Sequence, residues 1–330
     1  MNRFNSIILV LSVFIMANLL NANPTPPVNN TPFSNPLNVT VKTIRVLDGY
    51  GLRNVGYYVT RANYVVTGNT VYGTLSELLA AAAAADNHTQ PAKRAHSIFH
   101  TTGPERPWPN ARIPYKYANN AVKTALDSIV KEAIRTWTSV IPGLRIVEDP
   151  GATGAFIHIT SNKNEGCYSS VGWRAGRVSQ LNLEQPGCDT DVAVHEFGHA
   201  LGLQHEHQRS DRDNFIRILC ENIDLSKSVN AKGNPCPKRV GFCALTPTNC
   251  CGIECQFAKI QNQDSSGIYD FSSVMHYWGN EFGRIVAGTA LTTLKPKDPT
   301  NSVRFNANPS PLDYQRVCDL YKRSCAIALS

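Results

Sequence analysis

The chain has 330 residues, of which 42% are hydrophobic and 17% charged, and its formal net charge is +7. This composition is typical of a folded protein with a large core and excludes an intrinsically disordered chain. The basic residues neither form runs nor alternate with aromatic residues, so we expect no nucleic acid among the partners.

The first 22 residues have the pattern of a signal peptide. Arg3 supplies a positive charge, an apolar run follows over 7–15, and Ala17 or Ala22 offers the small residue that precedes a cleavage site. An uncleaved anchor is the alternative, but the apolar run is shorter than the ~20 residues that span a bilayer. We therefore expect a protein that is secreted, or exported to an oxidising compartment, without stable membrane insertion.

Residues 23–94 are predicted to form a small module ahead of the main domain. Short alternating stretches between 39 and 72 predict strands. Thr74 and Glu77 form a capping box, which predicts a helix through the alanines at 80–85. The module ends in the dibasic pair Lys93-Arg94, which invites proteolytic cleavage. We interpret 23–94 as a propeptide.

From Trp108 the pattern becomes that of a globular α+β domain. Apolar residues at helical spacing predict a helix over 120–140, and short apolar runs predict strands at 113–117, 144–147 and 156–160. Strands and helices interleaved in this way indicate one mixed domain.

Two further elements are predicted before the middle of the chain. Residues 178–183 alternate as an edge strand would. Thr190 or Asp191 is a candidate N-cap for the helix that follows.

That helix carries the most specific motif of the chain, H-E-x-x-H-x-x-G-x-x-H, formed by His195, Glu196, His199, Gly202 and His205. Histidines four apart project from one face of a helix, and glycine permits the turn that returns the third histidine. Three nitrogen ligands leave one tetrahedral position of a zinc ion open for water, which the neighbouring glutamate can reach as general base. A surface helix that merely carries histidines is the competing interpretation.

All ten cysteines lie from Cys167 onward, and behind an export signal they predict disulfides. Segment 230–262 is rich in cysteine and proline and lacks periodicity, so we interpret it as a disulfide-stapled insertion. It stabilises a long connection or forms a flap that contacts substrate or a partner. A second zinc site is the alternative, because Cys250, Cys251 and Cys255 are crowded.

Together these residues resemble the astacin family of zinc metalloproteases, within the metzincin clan. The zinc motif is the metzincin signature, and Glu206 directly after it looks like the astacin continuation. Residues 273–277, Ser-Val-Met-His-Tyr, resemble the astacin Met-turn with its tyrosine, and 166–172 match the family's flank of the edge strand. The resemblance covers about 108–325.

The resemblance implies a two-lobed α+β metallopeptidase, with a twisted five-stranded sheet, a zinc helix, and zinc in the cleft. It makes 95–330 the catalytic domain, preceded by the small propeptide. A disulfide between Cys167 and Cys188 is also implied. The family's other disulfide needs an early cysteine that this chain lacks, so Cys318 and Cys325 pair with each other or with the insertion.

The resemblance also implies residue roles. His195, His199 and His205 would hold one catalytic Zn²⁺, Met275 would lie beneath it, and Tyr277 would be a displaceable fifth ligand and oxyanion donor. In relatives the new N-terminus left by processing is linked to the glutamate that corresponds to Glu206.

Astacin propeptides often block zinc with an aspartate, whereas the nearest match here carries Asn69, a poorer ligand. Either inhibition by the propeptide is leaky, or the propeptide mainly assists folding.

The predicted function is that of a secreted zinc-dependent endopeptidase acting on proteins or peptides, with Glu196 as general base. Its extended substrates would lie antiparallel to 178–183. A catalytically silent binding protein of the same fold is the alternative. Architectural zinc is disfavoured, because structural sites are closed by four protein ligands. Glu206 and Tyr277 argue against other metzincin families.

Overall fold

A computed structural model describes residues 39–86, 106–260, 267–304 and 306–321. The predicted signal segment 1–22, the candidate cleavage site at 93–94 and Cys325 lie outside these residues. We call residues 39–86 the N-terminal block.

A nine-stranded mixed sheet is the main element of the described chain. Its strands are β1 (Lys42–Asp48), β2 (Gly51–Val59), β3 (Tyr64–Thr67), β4 (Thr70–Thr74), β5 (Arg112–Tyr117), β6 (Arg145–Glu148), β7 (Ile157–Thr160), β8 (Cys167–Ser170) and β9 (Ser179–Leu183). Their spatial order is β1-β2-β3-β4-β8-β9-β7-β5-β6. The last five form the predicted five-stranded sheet, and the four strands of the N-terminal block extend it.

The prediction that 178–183 forms an edge strand is wrong. Strand β9 lies between β8 and β7, and all five of its residues are buried. The alternating pattern suggested one solvent-facing side, but tertiary packing covers both faces. Strand β8 is the outer strand of the five, and β4 pairs with it in parallel, with Thr70 opposite Ser169.

Four α-helices accompany the sheet: α1 (Leu75–Asp86), α2 (Asn120–Thr138), α3 (Thr190–Leu201) and α4 (Pro311–Leu320). The predicted capping box of α1 is confirmed, since Thr74 N donates to Glu77 Oε2 (2.9 Å) and Glu77 N to Thr74 Oγ1 (3.4 Å). The N-cap of α3 is Asp189, whose side chain accepts from Val192 N, so the prediction of Thr190 or Asp191 was wrong by one or two residues.

Helix α2 confirms the helical spacing read from the sequence. It buries Leu126, Val130, Ala133 and Trp137, which recur every three to four residues and so share one face. Trp137 also donates from its indole to Val194 O of α3 (2.9 Å), which fixes the two helices against each other. Full burial of each large apolar side chain contributes roughly 1.5–3 kcal/mol.

The chain after α3 is less regular. It contains the short strands β10 (Ile216–Ile218), β11 (Ile285–Val286), β12 (Thr289–Ala290) and β13 (Leu294–Pro296). Short 3₁₀ helices lie at Pro109–Ala111, Glu206–Gln208, Arg212–Asn214, Cys220–Asn222 and Gly252–Phe257. Among the described residues, no helix is both long and apolar enough to cross a membrane.

Disulfides join Cys167 to Cys188, Cys220 to Cys243, Cys236 to Cys251, and Cys250 to Cys255. Cys318 is also disulfide-bonded. The crowded cysteines of the insertion are therefore paired with each other or with the preceding chain. A second zinc site in the insertion, the alternative considered from the sequence, is wrong.

Candidate metal centre and active site

Helix α3 and the turn after it position three histidines. His195 and His199 lie one turn apart on α3, and the helix ends at Gly202, whose φ of 114° favours glycine. A side chain there would also meet Leu320. The reversal brings His205 back, and all three imidazoles are buried.

The three rings point their Nε2 atoms at one another. The Nε2 atoms of His195 and His199 lie 3.1 Å apart, as do those of His199 and His205. Each Nδ1 donates to an oxygen, which leaves Nε2 without a proton: His195 to Val274 O (2.7 Å), His199 to Leu203 O (2.8 Å) and His205 to Gln208 Oε1 (3.0 Å).

The chemistry of this donor set fits a zinc ion. Burial lowers the pKa of all three imidazoles, that of His199 to about 4, so the rings are neutral at pH 7. Three converging lone pairs repel one another unless a cation lies between them. Three neutral imidazoles are also a known ligand set of catalytic zinc. The described residues contain one cluster that could hold a metal, and it consists of these histidines.

Glu196 lies beside the histidines and is fully buried. Its Oε1 accepts from Asn69 Nδ2 at 3.2 Å, while its Oε2 has no hydrogen-bond partner among the described residues. Burial raises the pKa of Glu196 well above its usual value, with the hydrogen bond from Asn69 opposing the shift. A carboxyl in this state can accept and release a proton near neutral pH.

The predicted Met-turn lies beneath the zinc helix. A β-carbon at Gly198 would lie 2.5 Å from Met275 Sδ and 3.3 Å from Trp137 Cζ2, so α3 approaches the turn too closely for any side chain there. Asp313 of α4 anchors the turn, accepting from Ser273 Oγ (2.6 Å) and Val274 N (2.8 Å). Burial raises the pKa of Asp313 to about 6.

Tyr277 follows the Met-turn and reaches the same point as Glu196. Its ring is fully buried, stacks on His207 at a centroid distance of 4.0 Å, and lies 4.5 Å from the ring of His205. Its hydroxyl donates to Asn69 Oδ1 at 3.4 Å. Burial raises its pKa well above the usual value, so the hydroxyl keeps its proton.

The turn between β3 and β4 inserts Asn69 into the site. Gly68 makes this turn with a φ of 62°. The Asn69 amide is fully buried, and its Nδ2 lies 2.9 Å from His195 Nε2 and 3.3 Å from His199 Nε2. The sequence singled out this asparagine, and the structure brings it to the ligands.

Glu206, which the resemblance links to a new N-terminus, already has two cationic partners. Its Oε1 accepts from Arg209 Nη1 (3.0 Å), Arg316 Nη2 (2.9 Å) and Asp270 N (2.8 Å). Burial raises its pKa, and the two arginines oppose that shift. The link to the N-terminus stays a prediction, because 87–105 lie outside the described residues.

Sequence reasoning missed three residues that hold the site in place. Gln208 orients His205, Asp313 anchors the Met-turn, and Arg316 pairs with Glu206. Only Asp313 left a local signal, as the last residue of a capping box begun by Ser310, and that signal indicates a helix start rather than a contact with the Met-turn.

Comparison with known proteins gives one consistent result. The family model described as Astacin, a peptidase family, matches residues 100–234. The chain is 32% identical over 211 residues to "Bone morphogenetic protein 1" of Xenopus laevis, covering 62% of this chain and 25% of the relative. It is 31% identical over 224 residues to "Zinc metalloproteinase nas-8" of Caenorhabditis elegans, covering 66% and 47%.

Among solved structures, the fold resembles High choriolytic enzyme 1, a hatching enzyme zinc-protease from Oryzias latipes. The TM-score is 0.51 at 25% identity, covering 69% of this chain and 99% of that one. The chain thus spans less than half of the length of these two sequence relatives but nearly all of this solved structure.

Proposed function

Because this chain belongs to the astacin family of zinc metalloproteases, we propose that it is a secreted, zinc-dependent endopeptidase that hydrolyses peptide bonds in extended polypeptides. The observation that carries the proposal is the convergence of three imidazole nitrogens beside the buried Glu196 carboxylate. The signal-like segment 1–22 and the disulfides support secretion, because disulfides persist in oxidising compartments.

Each polar group has a role in the proposed reaction. Zinc, when bound by the histidines, supplies positive charge that activates water and polarises the substrate carbonyl. Glu196 takes a proton from the attacking water and delivers it to the leaving amine. Tyr277 donates its hydroxyl to the substrate oxygen as negative charge develops there. Met275 supports the metal site from below.

The side-chain amide of Asn69 supports these roles. It is planar like a peptide group, and it lies within hydrogen-bond distance of both Glu196 Oε1 (3.2 Å) and the Tyr277 hydroxyl (3.4 Å). A substrate peptide group held at this point would reach the same two side chains. Asn69 therefore occupies the position where we propose that hydrolysis takes place.

We propose β8 as the strand that binds substrate, in place of the 178–183 segment expected from the sequence. It is the outer strand of the five that follow residue 106, and an extended peptide can add to such an edge. The N-terminal block uses this edge through β4 in the parallel direction. A substrate bound antiparallel would run the opposite way, so the block is not presented as a substrate would be.

Removal of the N-terminal block is the proposed step of activation. We keep 23–94 as the propeptide, with cleavage after Arg94. The block covers β8 and fills the site with Asn69, yet a neutral amide is a weaker zinc ligand than a carboxylate. We therefore expect the intact chain to be inhibited incompletely.

Digestion of a denatured protein and of a peptide library tests the proposal. The intact and the cut chain are compared with and without a chelator, and we expect cleavage by the cut chain that the chelator abolishes. Glu196→Gln should keep zinc bound but lower turnover by about 10²–10⁴-fold, because the proton acceptor is lost.

Glu132→Gln, an exposed glutamate on α2, is the matched control and should cleave normally. Undiminished cleavage by Glu196→Gln would refute the assignment of the general base. A zinc-replete, cut chain that binds peptides without cleaving them would instead indicate the catalytically silent alternative.

A further inference from the structure

The cysteine-rich insertion lies against the N-terminal block. We call residues 227–229 and 247–256 the insertion surface. Its first part bonds to the start of the block, where Val41 N donates to Lys227 O (2.8 Å) and Val229 N donates to Val41 O (2.9 Å). Val41 is buried by this contact and by the core around it. The block is thus joined to the insertion surface by backbone hydrogen bonds that any variant would retain.

Thr43 specifies the contact further. Its hydroxyl donates to Val229 O (2.6 Å) and accepts from Gly252 N (2.8 Å), so it connects both parts of the insertion surface. The residue is buried, and a buried hydroxyl whose donor and acceptor are both used fixes the position of its neighbours.

Asn54 on β2 binds the carbonyl groups of the stapled loop. Its backbone N donates to Pro247 O (2.6 Å), and its side-chain Nδ2 donates to Thr248 O (3.1 Å) and Cys250 O (2.9 Å). Cys250 is itself disulfide-bonded to Cys255. Loop carbonyls held in place by a disulfide form a fixed set of acceptors for this one side chain.

Gly56 allows the closest approach of the two backbones. A β-carbon at this position would overlap the carbonyl oxygen of Gly252 and would lie 3.4 Å from Cys255 Cβ. Gln256 Nε2 also donates to Gly56 O (3.3 Å). Glycine is therefore required here for space, since the block and the insertion surface are in direct backbone contact.

The other contacts of the block are of a different kind. Asn69 offers a neutral amide to the metal-ligand cluster, and β4 pairs with β8, the edge where a substrate would compete. A substrate at β8 would not compete for the insertion surface. The contacts that persist when substrate is present are thus those with the insertion.

We propose that the insertion surface is a receptor for residues 39–86 of this chain, and that it keeps this block bound over the site after the connecting segment has been cut. Cleavage alone then leaves an inhibited complex, and activity appears only when the block dissociates. What the bound block controls rests on the proposed function, but the binding itself does not.

The test uses the full chain with the recognition sequence of a specific protease in place of 89–94. It is made in a Glu196→Gln background, so that no peptidase activity of the chain contributes. After cutting, size-exclusion chromatography measures co-elution of the block, and a fluorescent label on the block measures its dissociation rate. We expect co-elution, also in the presence of excess peptide.

Variants then locate the contacts that hold the block. Asn54→Ala should raise the dissociation rate about tenfold, because two hydrogen bonds are lost. Gly56→Ala should release the block further. Lys42→Ala, an exposed neighbour on β1, and Asn69→Ala should leave the rate within about threefold of the parent. Circular dichroism of the uncut chains shows that each variant folds.

Early separation of the cut block from the parent chain would overturn the proposal. Equal retention by Asn54→Ala, Gly56→Ala and the parent would also overturn it, as would release by Asn69→Ala to the same extent as by Asn54→Ala. A chain without peptidase activity would still give a clear result here, because only binding is measured.

Discussion

The contact between Asn69 and Glu196 allows a prediction whose sign depends on the metal. Asn69→Asp keeps the size of the side chain but places a carboxylate oxygen where Nδ2 now lies 3.2 Å from Glu196 Oε1. At an effective dielectric constant of ~20, two such charges repel by about 5 kcal/mol. One carboxyl escapes by taking up a proton, which costs about 4 kcal/mol at pH 7 for a group of ordinary pKa.

Without metal, the Asn69→Asp chain should therefore be less stable by a few kcal/mol, equivalent to a fall in Tm on the order of 10 °C. Burial already raises the pKa of Glu196, so the pair binds a shared proton readily at low pH. The penalty should be absent at low pH, and it should grow as pH rises towards 7.

With zinc the sign reverses, because a carboxylate is a better zinc ligand than an amide. The Tm of the Asn69→Asp chain should then equal or exceed that of the parent, and the peptidase activity of the intact chain should fall at least about tenfold. Thermal unfolding of both chains, with chelator and with zinc, is the assay, and Asn69→Ala is the control. Equal Tm values in both conditions would refute the placement of Asn69 at the metal site.

Two other substitutions test the supports of the site. Gly198→Ala should destabilise the protein by roughly 1–3 kcal/mol and weaken zinc binding, because the new methyl group meets Met275 Sδ; thermal unfolding and chelator competition measure both effects. Arg316→Gln leaves the buried Glu206 with one arginine fewer, at a cost of roughly 3–5 kcal/mol. Arg316→Lys should recover part of that loss, and an unchanged Tm for Arg316→Gln would show that Arg209 alone suffices.

The metal site was legible in the sequence because its ligands are close together in the chain. His195, Glu196 and His199 occupy one helix, and Gly202 ends that helix before His205, so helical periodicity and one turn define the whole donor set. Local rules of this kind also predicted α1 and α2. Their physical basis is hydrogen bonding and packing within a few residues.

Features that depend on distant parts of the chain could not be read in the same way. The burial of β9 requires β8 and β7 on its two sides, and strand pairing is not encoded in the alternation of one strand. The pairing of Glu206 with Arg316 joins residues 110 positions apart. The contact between Asn54 and the insertion joins residues that are more distant still, and no periodicity marks it.

The most direct test of the central claim measures zinc content and peptidase activity on the same sample of cut chain. We predict one zinc ion per chain, loss of zinc and activity together on dialysis against a chelator, and return of both when zinc is restored. His199→Ala should have neither. Full activity of a chain stripped of metal, or one tightly bound zinc in the His199→Ala chain, would contradict the account.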